Sequence, residues 1–162
     1  GRMKSATAER KFDRAEELTR TLKFIDQLTT QRRFYDPSGL HVDVIASARR
    51  DDELQIVRLT VRGGRIVDEE SVGTASTPDG RDDAITQYVV QRYMEPSETP
   101  QTLVVPAAYE ESALLKKWFS DVLGKKVRVV RPARGSVKRL LELAERNAAQ
   151  KLSLKADMAH AA

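Results

Sequence analysis

The feature that most limits the fold is the pair Gly63-Gly64, set between two alternating runs, ELQIVRLTVR (53–62) and RIVDEESV (65–72). Apolar and polar side chains that alternate have the period of a strand, and two glycines supply the positive φ angles of a tight hairpin. A third run, HVDVIASA (41–48), comes before them and is joined through Asp51-Asp52. The three runs predict an antiparallel meander. A sheet begun this way must bury at least one face against other elements.

Those elements follow at once. TPDGRDD (77–83) is turn chemistry running into a helix over roughly 82–94, with Ile85, Tyr88, Val89 and Tyr93 on one face and Pro96 ending it. QTLVVP (101–106) is apolar without alternation, the pattern of a strand buried on both faces. A helix begins near Ser112 with Leu114, Leu115, Trp118, Phe119 and Val122 inward, and Gly124 is placed to stop it. KVRVVRP (126–132) reads as a fifth strand. A last helix is expected from Ser136 to Lys151, with Val137, Leu140, Leu141, Ala144 and Ala148 inward. The order is βββαβαβα, and the crossovers make the later strands parallel to the first. It is the order of the ribonuclease H fold, an α/β mixed sheet with flanking helices. Val44, Ile56, Leu59, Ile85, Val104, Leu115, Trp118, Val129 and Leu140 are its expected core.

The stretch before the sheet is different in kind. Over residues 5–32, Phe12, Ala15, Leu18, Leu22, Ile25 and Leu28 repeat at threes and fours, a narrow helical stripe that one helix cannot bury on itself. Asp36-Pro37-Ser38-Gly39 breaks the pattern. The expected organisation is a helical segment or hairpin at 1–33, a linker at 34–39, the sheet domain at 40–152 and a flexible tail at 153–162. Gly1-Arg2 ahead of Met3 reads as a remnant of cloning, so the chain is expected to be a piece of something longer.

Composition narrows the chemistry. With no cysteine, disulfides, thiol nucleophiles and zinc fingers are excluded, and a cytoplasmic setting fits. No apolar run approaches the roughly 20 residues of a membrane helix. Charge is uneven: residues 34–109 carry seven basic and thirteen acidic side chains, and residues 110–151 carry eleven and five. Such a split suits a polyanion or an acidic protein surface as partner, and equally a solvated helix face.

Nucleases with this order of elements use two metal ions held by carboxylates, one on the first strand and one at the end of the fourth. Asp43 lies on the first strand, but the fourth runs into Pro106, followed by Ala107, Ala108 and Tyr109. Glu110 comes next, already entering a helix, and Glu142 and Glu145 lie on a helix whose inward stripe is aliphatic. One carboxylate does not hold two hard cations. His41 and His160 are the only histidines, and no phosphate-binding glycine loop occurs. The residues point to no catalytic site, no metal site and no cofactor.

RPARGSVKRLLELAERNA (131–148) resembles a stretch of the UvrC family, with Pro132, Arg134, Gly135, Lys138, Leu140, Leu143, Ala144, Glu145, Asn147 and Ala148 in the family's spacing. VDVIASA, the strand ending Val61-Arg62-Gly63-Gly64 and the helix ending at Tyr93 also look like that family. Ala8-Glu9, Phe12-Asp13 and Ala15 resemble its UVR motif, though Thr19-Arg20 stands where the family usually has Arg-Asp. The resemblance implies a central fragment of a nucleotide excision repair subunit: a UVR motif, then a catalytically inactive ribonuclease H-like domain. It implies UvrB, through its C-terminal UVR motif, as partner of Phe12, Ala15, Leu18 and Leu22, with the chain serving as scaffold for flanking nuclease domains. Asp43 and Pro106 are then degenerate active-site positions. Two alternatives stay open: a DNA or interdomain contact through Arg131, Arg134, Lys138 and Arg139, and a metal-dependent nuclease using Asp43 with a helix carboxylate.

Overall fold

The computed structural model describes residues 14–18, 20 and 34–161. The chain divides into two compact units, Gly1–Phe34 and Tyr35–Ala162. In the first, residues 14–18 and 20 are helical, and Leu18 is exposed. Phe12 and Leu22 lie outside the described residues.

The second unit is a five-stranded mixed sheet with three α-helices. Strands β1 (Val42–Arg50), β2 (Glu53–Arg62) and β3 (Arg65–Ala75) form the expected meander. Helix α1 (Arg81–Arg92) leads to β4 (Thr102–Val104), α2 (Ser112–Leu123) to β5 (Arg128–Val130), and α3 (Gly135–Ala161) closes the chain. The strand order is β3-β2-β1-β4-β5, with β4 parallel to β1 and β5 parallel to β4. Gly63 and Gly64 take φ of 59° and 77°, as a tight hairpin requires. A side chain on Gly64 would put its Cβ 1.9 Å from the carbonyl oxygen of Asp36, so only glycine fits there.

Consecutive residues 42–46 and 54–59 are all buried, which means that both faces of β1 and β2 are covered. On one face, Ile45, Leu54, Ile56, Leu103 and Val105 pack with Ile85, Val89 and Tyr93 of the α1 region and with Leu115 and Phe119 of α2. On the other, α3 lies across β1 and β2 with Leu140, Leu141, Leu143, Ala144, Ala148 and Leu152 buried. Among the residues expected in the core, Trp118 and Val129 are only partly buried.

Three expectations need correction. Leu114 and Val122 are 55% and 64% exposed, not inward. The neighbouring β5 is only three residues long, so a single narrow row of α2, Leu115 and Phe119, reaches the core. The last helix does not end at Lys151; it runs through Ala161 over residues expected to be tail. Leu152 is buried, and Lys155 Nζ reaches Gln55 Oε1 at 2.9 Å and Glu53 Oε1 at 3.5 Å, which fixes the extra turns to β2. The segment expected as a linker is bound into the sheet domain. Asp36 N–H donates to the Gly64 carbonyl at 2.9 Å, and the Asp36 carboxylate accepts from Ser38 N–H at 2.8 Å and from the Ser136 hydroxyl at 2.6 Å. These bonds hold the Asp36 carboxyl below its usual range, with the Ser136 bond the largest cause.

Candidate functional site

The sheet places β1 beside β4, the pairing that brings metal-binding carboxylates together in nucleases of this order. Asp43 sits in parallel register with Leu103, and Val44 with Val104. Asp43 is therefore central in the sheet, not at its edge, and it is 2% exposed. Pro106, just past β4, is buried.

Both oxygens of the Asp43 carboxylate are engaged. Arg62 Nη1 donates to Oδ1 at 2.9 Å, and the Tyr93 hydroxyl donates to Oδ2 at 2.5 Å. Arg62 stands at the end of β2, and the same nitrogen also reaches the Val61 and Val42 carbonyls, at 2.9 and 3.3 Å. Tyr93 closes α1: its N–H bonds back to the Val89 carbonyl, which aims the ring down onto β1. Burial pushes the Tyr93 hydroxyl far above its ordinary range, and the charge of Asp43 and the bond to it push the same way. The phenol thus keeps its proton and serves as a fixed donor. A buried carboxylate matched by one guanidinium and one phenol is neutralised in place.

A second charged group lies beside it. Asp43 pairs with Thr60, which pairs with Asp68; Ile45 pairs with Arg58, which pairs with Glu70. Side chains at paired positions share a face, so this polar row looks toward α1. Arg58, 3% exposed, lies 3.2 Å from Asp68 Oδ2 and 3.8 Å from Glu70 Oε2, and it also bonds the Thr60 hydroxyl. The Tyr88 hydroxyl donates to Glu70 from above, and burial raises its pKa, with that bond adding to the shift. Arg58 Nε has no partner among the described residues.

Residues after β4 are tied down too. The Tyr109 hydroxyl bonds Thr86, which bonds Glu111; Asp82 accepts from Glu110 N–H at 3.0 Å. Burial pushes the Tyr109 hydroxyl up to about 12. Glu110 and Glu111 therefore belong to the loop that starts α2, where these bonds hold them. Among the described residues no group of three His, Cys, Asp or Glu side chains could hold a metal. The donors at this position do not fit a two-metal centre: the one buried carboxylate is spent on Arg62 and Tyr93.

The four basic candidates are placed less uniformly than their sequence suggests. Arg131 is exposed and donates to the Tyr109 carbonyl at 3.2 Å. Arg134 is exposed at the start of α3. Lys138 is half-buried, and Arg139 lies close enough to Asp36 to help lower its pKa. Glu142 is exposed and Glu145 half-buried, both on the helix that covers the face opposite Asp43. Arg62, Tyr93 and Arg58 were not singled out as site residues. The one signal for Arg58 is a charge at the same parity as Leu54 and Ile56.

Comparison with known proteins places this architecture. UvrABC system protein C of Syntrophotalea carbinolica is 30% identical over 145 residues, 89% of this chain and 24% of the relative. The same protein from Clostridioides difficile is 27% identical over 161 residues, 97% of this chain and 26% of the relative. The chain spans about a quarter of the length of the curated relatives it matches. The crystal structure of the catalytic domain of human Endonuclease V overlays 56% of this chain and 47% of its own, at 22% identity and a TM-score of 0.34; neither figure bears on activity. The family model described as the UvrC Ribonuclease H-like domain matches residues 41–155, nearly the whole of the sheet unit, and the chain belongs to that family.

Proposed function

We propose that this chain is the non-catalytic central region of a UvrC subunit, acting in nucleotide excision repair as a cytoplasmic scaffold. The observation that carries the reading is the closed state of Asp43. Its two oxygens are taken by Arg62 and Tyr93, and a buried proline follows β4 where a second carboxylate would be needed. Metal-assisted hydrolysis needs carboxylates free to share a cation. A domain with this core and no such site is suited to hold neighbouring parts in place. The relatives are proteins of the UvrABC system, and this chain matches about a quarter of each, so incision would fall to parts of the parent protein outside these residues.

Residues 1–33 are the proposed UvrB contact. The support is the UVR-like spacing of Ala8-Glu9, Phe12-Asp13 and Ala15, with Leu18 exposed on a helical segment. Phe12, Ala15, Leu18 and Leu22 would enter the partner's apolar face. Two experiments test the proposal. Incubated with plasmid and oligonucleotide DNA in magnesium or manganese, the chain is expected to cut nothing; cleavage lost in Asp43→Ala would overturn the non-catalytic reading. In calorimetry against UvrB, Phe12→Ala is expected to weaken binding by about 2–4 kcal/mol, the cost of truncating a central anchor. Unchanged affinity would remove Phe12 from the contact.

A further inference from the structure

We infer that the β5 edge of the sheet, with the loops on either side of it, is a contact surface for the phosphate backbone of a nucleic acid. It is carried chiefly by Lys125, Lys126, Arg128 and Arg134. This makes specific the open alternative of a nucleic-acid contact, and it does not depend on UvrB binding.

Strand order sets the position. β5 and β3 are the two edges of the sheet, four strand spacings or roughly 19 Å apart. The β3 edge and the β1–β2 turn on that side carry Asp68, Glu69, Glu70, Asp51, Asp52 and Glu53 against the two arginines Arg50 and Arg65. On the β5 side, Asp121 is the one acidic residue between positions 116 and 139. Charge is thus separated across the width of the sheet, and the field this sets up draws an anion to one edge.

The cations at that edge are available. Lys125, Lys126, Arg128 and Arg134 are all exposed, and none of their side chains has a hydrogen bond or ion pair among the described residues. Three of the four basic residues marked out by sequence are less free: Arg131 is bonded to the Tyr109 carbonyl, Lys138 is half-buried, and Arg139 faces Asp36. The start of α3 is also taken, because the Ser136 hydroxyl is bonded to the Asp36 carboxylate. The usable charge therefore lies along the edge strand and its flanking loops, not along α3. Lys126 to Arg131 spans roughly 16 Å if extended, enough for several backbone phosphates.

The chemistry of the strip selects the partner. A protein interface needs an apolar or aromatic anchor at its centre. From Lys125 to Arg134 no large hydrophobic side chain is exposed: Val127 is buried, and Val129 and Val130 are half-buried. Nor is any aromatic ring exposed there on which a base could stack. What remains is a line of unpaired positive charge, which suits repeated phosphates read without regard to sequence.

The test is fluorescence anisotropy with the full chain and labelled 30-residue DNA, single-stranded and duplex, from 25 to 200 mM KCl. Binding to duplex is expected to weaken with a log–log slope of about −3 to −4, the value for about four phosphate contacts. Replacing Lys125, Lys126, Arg128 and Arg134 together by glutamine is expected to weaken binding at low salt at least 30-fold and to reduce the slope by about 3. The pair Lys126→Gln and Arg128→Gln should weaken it several-fold. The pair Arg50→Gln and Arg146→Gln, which removes the same charge elsewhere, should change it less than twofold. A quadruple variant that keeps the wild-type slope, or a control pair as damaging as the edge pair, overturns the inference. Polyglutamate that displaces DNA as well as unlabelled DNA does at equal charge would assign the edge to acidic protein and overturn it as well. The quadruple variant should keep its affinity for UvrB, so failure here and failure of the scaffold reading are told apart.

Discussion

Removing Arg62 should strand a charge that has nowhere to go. The Asp43 side chain is 3% exposed and that of Arg62 is 38% exposed, so water reaches the guanidinium but not the carboxylate. Breaking a fully buried pair by deleting one partner costs about 3–5 kcal/mol. Solvent access on the arginine side discounts this, and Tyr93 still donates to one oxygen, so Arg62→Met is expected to cost about 2–3 kcal/mol. Asp43→Asn should be milder, about 1 kcal/mol: the amide oxygen still accepts from Tyr93, and the released arginine can turn to water. In the double variant the buried charge is gone along with its partner. The loss should then fall short of the sum by about 1.5–2 kcal/mol. The bonds from Arg62 to the Val42 and Val61 carbonyls are absent from both arginine variants, so they cancel in the cycle. Urea unfolding followed by circular dichroism measures each midpoint. Arg62→Met within about 0.5 kcal/mol of wild type, or strictly additive losses, would refute the view that Arg62 is what allows Asp43 to be buried charged.

Other outcomes follow from the same geometry. Gly64→Ala, which meets the Asp36 carbonyl at 1.9 Å with φ at 77°, should cost roughly 2–4 kcal/mol, and Gly63→Asn, with open space around it, should stay within about 0.5 kcal/mol; thermal melts of both compare them. Leu152→Ala should cost about 2–3 kcal/mol because Leu152, on the extra turns of α3, is buried, whereas an unfolded tail would feel nothing; urea midpoints decide. The Tyr93 hydroxyl is raised by burial and by Asp43, so the unfolded chain loses that proton near pH 10 while the folded chain keeps it. Its contribution is fully present below pH 10 and falls as pH rises beyond it, by about 1.4 kcal/mol per pH unit, and Tyr93→Phe should flatten that limb of a stability–pH curve.

The element order was legible because each boundary had its own local cause. Gly63-Gly64 fixed the hairpin, Gly124 takes the left-handed conformation that ends α2, and the period of β2 marked a strand, although not that both of its faces are covered. Failures came where tertiary contact overrides the local pattern. Nothing within residues 152–161 shows that Lys155 will find Glu53 and Gln55, about a hundred positions earlier, and hold the helix on. The Asp-Pro-Ser-Gly stretch at 36–39 has the composition of a free linker. It became part of the domain because Asp36 meets Gly64 on one side and Ser136 on the other.

The candidate site was half legible, and the missing half explains the rest. Sequence could show that the fourth strand ends without a carboxylate, which left Asp43 without a second ligand. An edge aspartate would be solvated and inert. Placed on the central strand, the same residue carries a buried charge that must be matched, and this makes Arg62 and Tyr93 necessary. Both partners stood in stretches already noted, the strand ending VRGG and the helix ending at Tyr93, but a partner is chosen by strand register and helix end, which sequence spacing does not give. Arg58 repeats the lesson one row away, where Asp68 and Glu70 accept its charge and Tyr88 closes over Glu70. In this domain fixed guanidinium groups lie beside the acidic side chains of the sheet face toward α1. Such cations cannot be released or exchanged, so the polar face holds α1 against the sheet.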